Sequence, residues 1–496
     1  MSRGERFASN VSWGLAGQAA VVAINLFIIP RLVRGFGVEA YGLYLLMQAA
    51  AGGVGVLPFG ATAGTISFAA ESQSGGGRSL LDDALRHSAV LVIGGAMLGA
   101  LIMWVAAPSL ADKVFIVPAY YRFHGAWMIR AASLGAVFTA VVGWAGGAFV
   151  GLHRFHWQSA AAVLQGVLIP LGVLAALGLG RGLGAAAAGF VAVHAIVALF
   201  CLFGVWRLRR EVPSGSGRIS FSKFSLYSIG FWPGALAQMV SGQMDRAFVA
   251  GLRSMSDFTL YAVPVGALAR LQTLPATASM ALVPVVGELG ENESPETVAR
   301  LYLRASRTLF GLLIPAYALL FALMPQFLSL WLGGKFGDAS VWPARLLVIS
   351  QSVALLSFLP SSVAAGRKGG WWQAGSAWAQ ALVCLALWPW MIPRWVLMGA
   401  SLGGLIGQVV STTLLINLVH GRLLELSLGR FLRETLAPAC AACCILLVVA
   451  WPLRVHIGGW GTFLSLCLVS GALYTYVFWR LLPREDRSFL RARLPF

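Results

Sequence analysis

Two long apolar stretches carry hydrogen-bonding and charged side chains at helical spacing. Gln238, Ser241 and Asp245 stand at i, i+3 and i+7, which is one face of a helix, and Arg246 adjoins them. Further on, Gly266, Arg270, Thr273 and Thr277 follow i, i+4, i+7 and i+11, again one face. A charge at bilayer depth costs about 2.5–3.5 kcal/mol on insertion scales, so it faces a water-filled cavity or a partner. Arg offers a planar fork of donors that matches phosphate oxygens. Asp245 either takes up H⁺ or Na⁺ or neutralises a nearby Arg. Two such faces read as the wall of a polar cavity.

The elements that must hold these faces are two long helices, expected over residues 224–251 and 258–289. Pro233, Pro264, Pro275 and Pro284 interrupt them, as membrane helices tolerate where neighbours or cavity water satisfy the freed carbonyls. An echo lies near the N-terminus. Trp13 and Tyr41 are spaced like Trp232 and Tyr261, and Asn25 falls about where Asp245 does. The offset is near 220 residues, which reads as a duplicated half. Two like halves around a midplane polar site is a transporter plan.

The composition agrees. Of 496 residues 58% are hydrophobic and 11% charged, with mean hydropathy +0.79, a balance that excludes a soluble domain. Windows of membrane-spanning length give about 14 apolar segments. They cover residues 11–29, 41–68, 89–107, 127–150, 160–179, 183–206, 224–251, 258–289, 309–330, 346–365, 372–392, 396–419, 436–451 and 463–479. Alternating ten-residue segments are absent, so the fold class is an all-α polytopic membrane protein and not a barrel. The polar start and long first span predict an uncleaved first helix.

The net charge of +18 sets topology and is no nucleic-acid footprint. With the N-terminus in the cytoplasm, alternate loops carry 23 Lys and Arg inside and 10 outside, and Arg130, Arg246 and Arg270 lie within spans, together the 36 of the chain. The positive-inside rule then places both termini in the cytoplasm. The basic segment 207–223 reads as a cytoplasmic linker between halves, its cations held at the anionic inner leaflet. Gly75-Gly76-Gly77 lacks the strand–helix context and Lys of a phosphate loop and reads as a flexible linker. The glycines of 52–64 either let helices approach closely or permit bending. Trp371, Trp372, Trp388 and Trp390 read as interfacial belt residues. The tail after Arg480 is basic and reads as membrane-surface bound.

Catalytic chemistry finds no support. There is no Ser-His-Asp set, no zinc spacing and no nucleotide loop, and the seven His are scattered. The six Cys lie inside apolar segments as buried small side chains. No metal, cofactor or enzymatic activity is expected.

The opening N-V-S-W, followed after an apolar span by I-I-P-R-L-V-R-G-F-G-V-E-A-Y-G-L-Y, resembles the start of polysaccharide (O-antigen type) flippases. These belong to the multidrug/oligosaccharidyl-lipid/polysaccharide exporter superfamily. Asp245-Arg246, then Tyr261, then F-L-S-L-W-L-G-G-K-F from Phe327 agree with that family's second half. Leu57-Pro58-Phe59-Gly60 departs from it, where many relatives carry a D-L-G string. The resemblance implies two pseudo-symmetric six-helix lobes (1–206 and 224–420) around a central cavity, joined by the 207–223 linker. Two extra helices and a basic tail (421–496) would follow. It implies a flippase in the bacterial cytoplasmic membrane that moves polyprenyl-diphosphate-linked oligosaccharide by alternating access, for surface polysaccharide biosynthesis. Its partners would be that lipid-linked substrate, H⁺ or Na⁺ as coupling ion, the bilayer, and polysaccharide polymerase and chain-length proteins, with no nucleic acid.

Under that reading Arg246, Arg270 and Arg130 pair the diphosphate and Arg31 and Arg34 receive it outside. Gln238, Asn25, Thr273 and Thr277 hold sugar, and Asp245 is the coupling candidate. For Arg130 and Arg34 the competing role is an interfacial snorkelling side chain. A cation-coupled drug exporter of the same superfamily would share the fold but favour acidic cavity residues. A membrane-embedded polymerase or ligase would need a larger outer loop than 108–125.

Overall fold

The structure, a computed structural model, describes residues 3–54, 60–180, 182–280, 282, 286, 294–367, 369–483 and 485–487; the side chains of 3–16, 18, 19, 277, 280, 295, 335 and 337 lie outside that description. Every regular element among the described residues is helical. Nine helical runs among them are long and apolar enough to cross a membrane. The chain divides into two compact units, Met1–Ala262 and Val263–Phe496. That division falls after Ala262 and not at the linker, so the helices just beyond the linker belong to the first unit.

In the first unit the helices are α1 (Arg3–Phe36), α2 (Val38–Gly53), α3 (Ala61–Glu71), α4 (Gly77–Ser109), α5 (Arg122–Gly151), α6 (Phe155–Gly178), α7 (Gly182–Glu211), α8 (Phe221–Ile229) and α9 (Trp232–Leu252). The next helix, α10 (Met255–Leu271), contains the division. Small residues let α5 sit at the centre: Ala145, Ala148 and Phe149 are fully buried against Leu81 and Ala84 of α4 and Val197 and Cys201 of α7.

Three expected spans are broken. Residues 41–68 form α2 and α3 as separate helices, and Gly60, just before α3, has φ +72. A Cβ there would lie 2.3 Å from the Ser228 carbonyl, so only glycine permits this bend and its contact with α8. Both close packing and bending therefore act in this stretch. Residues 224–251 are not one helix but α8 and α9, separated at Gly230 and Phe231. Pro233 sits in the first turn of α9, where its missing N–H leaves no bond unmade. Residues 258–289 likewise divide into α10 and α11 (Thr273–Met280), parted at Gln272; Pro284 lies outside the described residues. Pro264 is accommodated within α10.

The linker is neither free nor held by lipid alone. Arg78 N donates to Pro213 O at 2.8 Å and Gly217 N to Gly76 O at 3.1 Å. The Arg78 guanidinium donates to the Arg210 and Val212 carbonyls at 2.9 and 3.1 Å. Ser79 Oγ donates to Gly217 O at 2.9 Å and also to Gly215 O. Arg209 grips Asp82, and Arg218 pairs with Asp83 at 3.2 Å. Gly77 has φ +69, and a Cβ on it would lie 2.3 Å from Gly215 Cα. The glycine run is thus a backbone-to-backbone clasp and not a flexible linker. The physical cause is that extended residues 212–220 have no helix to satisfy their peptide groups, so α4 supplies partners.

In the second unit α12 (Pro295–Leu332), α13 (Gly334–Gly366) and α14 (Gly370–Val419) pack in sequence. Ser294 caps α12 by accepting from Thr297 N. The 50-residue α14 contains Val396 at φ 50, ψ −126. Gly399 faces Met391, Gly403 faces Trp388 and Gly407 faces Cys384, so its two arms run antiparallel and supply two spans. Trp388 is buried in that hairpin, its Nε1 donating to Ala400 O at 3.2 Å, and Trp372 is also buried. Only Trp371 and Trp390 of the expected belt are exposed. Last come α15 (Ala437–Leu453) and α16 (Trp460–Leu481), which pack on α12, with Tyr474 OH donating to Gly311 O at 2.9 Å. Asp486 pairs with Arg304 and Arg307 of α12, each at 3.0 Å, so the start of the tail is docked on protein and not spread on lipid.

Candidate functional site

The polar face of α9 is formed largely as its spacing predicts. Gln238 is exposed, and Ser241 and Asp245 are half-buried. Ser241 Oγ turns back to donate to Ala237 O at 2.9 Å. Asp245 Oδ2 accepts from Tyr261 OH at 2.9 Å, bridging α9 to α10. Its Oδ1 is buried with no hydrogen-bond partner among the described residues. The Arg246 side chain turns to another partner, Nη1 donating to Gln243 Oε1 at 3.2 Å while Nε is buried without a partner, and its charge still acts on Asp245. Consecutive helical residues point about 100° apart, so the acid and the base diverge.

This pair is positioned by α2. Thr259 Oγ1 of α10 donates to Val38 O at 2.7 Å. Gly42 approaches Met255 so closely that a Cβ would lie 2.6 Å from its carbonyl oxygen. Gly52 lies opposite Gln243, the partner of Arg246. Within α2, Gln48 Nε2 donates to Tyr44 OH at 2.8 Å. The first unit thus brings together a carboxylate, a guanidinium, a Gln and a Tyr on α9 and α10, with α2 packed against them. Spacing of polar residues along the sequence does not by itself single out Tyr261 or Gln243. The signal for Tyr261 was available, because a short turn at Arg253–Ser254 folds α10 back along α9.

The remaining candidates lie elsewhere. Asn25 is buried, and its amide donates to Val21 O at 2.8 Å and Gly166 O at 3.1 Å, tying α1 to α6. It has no Tyr partner like that of Asp245, so the two positions differ in bonding. Arg31 and Arg34 are exposed, and Arg31 donates to Phe27 O at 2.9 Å. Arg130 is half-buried on α5, its guanidinium 5.6 Å from the Trp104 ring centre and its Nε buried without a partner. Beside it an apolar groove of about 630 Å³ opens between α4 and α5, lined by Leu101, Trp104, Ser133 and Leu134 among others.

In the second unit Arg270 is half-buried in the last turn of α10, where a cation also favours the carbonyl end of the helix dipole. Thr273 Oγ1 donates back to Arg270 O at 2.7 Å. Gln272, at the break, pairs with Gln351 of α13. The Thr277 side chain lies outside the described residues. No group of three or more His, Cys, Asp or Glu among the described residues is arranged to hold a metal ion.

No protein-family model matches the chain, and no curated protein does. Solved structures do. The inward closed conformation of the lipid II flippase MurJ aligns with a TM-score of 0.67 at 12% identity, over 94% of this chain and 98% of that one. The inward-facing conformation of a multidrug resistance MATE family transporter of the MOP superfamily aligns with a TM-score of 0.61 at 17% identity, over 83% of this chain and 98% of that one. A MOP superfamily transporter from Pyrococcus furiosus, described as having a binding pocket of reverse polarity, aligns with a TM-score of 0.56 at 18% identity, over 85% and 96%. The fold is that of these polytopic transporters, whose number includes a lipid flippase and drug exporters.

Proposed function

We propose that the chain is a flippase for polyprenyl-diphosphate-linked oligosaccharide, working by alternating access in a bacterial cytoplasmic membrane with both termini in the cytoplasm. Two six-helix lobes flank its central cavity, as the 1–206 and 224–420 halves suggest. The observation that carries this reading is Arg246 of α9: a guanidinium with its Nε buried and unpartnered, beside an acid that accepts a hydrogen bond from Tyr261. A cation of that kind suits a diphosphate leaving water and repels a cationic drug. The similarity to a lipid II flippase over 94% of the chain supports the same direction. Arg270 is the second diphosphate ligand, Gln238 and Gln243 meet sugar hydroxyls, and Asp245 is the coupling acid.

The unpartnered Oδ1 of Asp245 favours a second reading, a cation-coupled exporter of small molecules. One experiment separates them. In a strain lacking its own flippase, surface polysaccharide and membrane abundance are measured for the Ala and Lys variants of Arg246 and Arg270. Arg270→Ala should abolish export at normal abundance, with Arg270→Lys recovering part, because an ammonium lacks the fork. Normal export from both Ala variants removes the diphosphate site and leaves the exporter reading.

A further inference from the structure

A second cationic cluster lies within the second compact unit, at residues that the proposed site does not use. Arg345 of α13 is only 6% exposed. Its Nε donates to Phe321 O of α12 at 3.0 Å, while Nη2 is buried without any hydrogen-bond partner. Its guanidinium is ringed by aromatic groups: Phe321 at 5.2 Å, Trp342 at 5.1 Å and Trp451 of α15 at 5.5 Å. Arg454, just past the end of α15, stacks over the same Trp451 ring at 3.6 Å, and it is the charged neighbour that bears on Arg345. None of the ion pairs among the described residues includes either arginine.

Two like charges gathered around one indole, without an acid, form an incomplete arrangement. Cation–π contact offsets only part of the cost of desolvating an unpaired ion. An anion lowers both the repulsion and the desolvation cost. The surroundings identify which anion. Trp342 is 58% and Trp451 41% exposed, and Leu312 of α12 and Val448 of α15 are exposed as well, so the cluster opens on an apolar outer surface. Arg454 and Trp451 mark where α15 leaves the apolar region, and Trp at that level is typical of a headgroup interface. A phosphate there would sit in reach of two guanidiniums while its acyl chains lie along α12 and α15.

We propose that Arg345 and Arg454, with Trp342 and Trp451, form a binding site for the phosphate of an anionic phospholipid at the bilayer-facing junction of α12, α13 and α15. By the charge distribution of the loops this is the outer leaflet. The bound lipid acts as the missing counter-ion and fastens the last two helices to the second unit.

The test compares thermal stability and lipid retention of the full chain in nanodiscs of phosphatidylcholine alone and with added phosphatidylglycerol. Wild type should gain stability with phosphatidylglycerol and keep it in native mass spectra. Arg454→Gln should bind it about tenfold more weakly, as expected for one charge-assisted bond. Arg345→Met, which replaces an unpaired ion by an apolar chain of similar length, should be no less stable than wild type in phosphatidylcholine and should gain nothing from phosphatidylglycerol. Equal gains in wild type and both variants overturn the site, as does no gain in wild type. If soluble glycerol phosphate alone reproduces the gain, the ligand is a free phosphate and the lipid assignment fails. Should Arg345→Met not fold, the Arg454→Gln comparison decides by itself.

Discussion

The bond from Tyr261 to Asp245 can be weighed directly. It joins α9 to α10 at 2.9 Å, and the Tyr261 side chain is only 2% exposed. A hydrogen bond to a charged group contributes about 1.5–3 kcal/mol. Tyr261→Phe leaves the carboxylate desolvated with neither oxygen served by that hydroxyl. Asp245→Ala leaves a buried phenol without its acceptor. Each single change should therefore destabilise by about 1.5–3 kcal/mol, and the double variant by clearly less than their sum. The expected coupling energy is about 1.5–3 kcal/mol for Ala at 245. With Asn at 245 a neutral acceptor remains, so Asp245→Asn should cost about 1 kcal/mol.

The assay is reversible unfolding by SDS in mixed micelles, on wild type, both singles and the double. The cycle matters because Tyr261 has further interactions of its own, which a single variant would wrongly credit to Asp245. Coupling within about 0.5 kcal/mol of zero, the ordinary scatter of independent sites, would refute the reasoning. Asp245 would then be a solvated side chain, not part of a built pair.

The clasp and the tail give two further expectations. Gly77→Ala forces an L side chain into a backbone conformation that essentially only glycine adopts, costing about 1–3 kcal/mol, and drives a Cβ to 2.3 Å from Gly215 Cα. Protease cleavage at residues 212–220 should accelerate in inside-out vesicles, and an unchanged rate removes the clasp. Asp486→Ala strands Arg307, whose side chain is 15% exposed, beside Arg304. Thermal stability should fall by about 1–3 kcal/mol, with Arg307→Met restoring part of it; no loss would mean that the tail is not docked there.

Much of the fold was legible because the bilayer imposes a length on each apolar run. The windows 11–29, 89–107, 127–150 and 183–206 each fall within one helix, and even the missed breaks had local signs. Pro233 is a first-turn proline, a start signal and not a kink. The break at Gln272 has a sign of the same kind, since Pro275 lies in the first turn of α11 and has no N–H for the carbonyl of Leu271. The clasp was illegible for a different reason. Arg78 and Val212 are 134 residues apart, and nothing local marks a peptide carbonyl that needs a distant donor. The glycines were visible, but a glycine that permits motion and one that permits contact look alike until the neighbour is known.

Charge was the hardest quantity to interpret, because a sequence window records where a cation sits but not what meets it. The apolar window beginning at residue 346 leaves Arg345 outside, and the loop count then treats it as a solvated topology marker. In the structure it lies within α13, 94% removed from solvent. A local sign existed: Trp342 precedes Arg345 by three residues, the spacing that places an aromatic face beside a guanidinium on one helix. Asp245 and Arg246 show a related difficulty. Adjacency lets the charge of Arg246 act on Asp245, yet their side-chain hydrogen bonds go to other partners, Tyr261 and Gln243. Nothing in the one-dimensional spacing separates these two kinds of interaction, because a through-space charge and a hydrogen bond both follow from proximity while only the second needs direction.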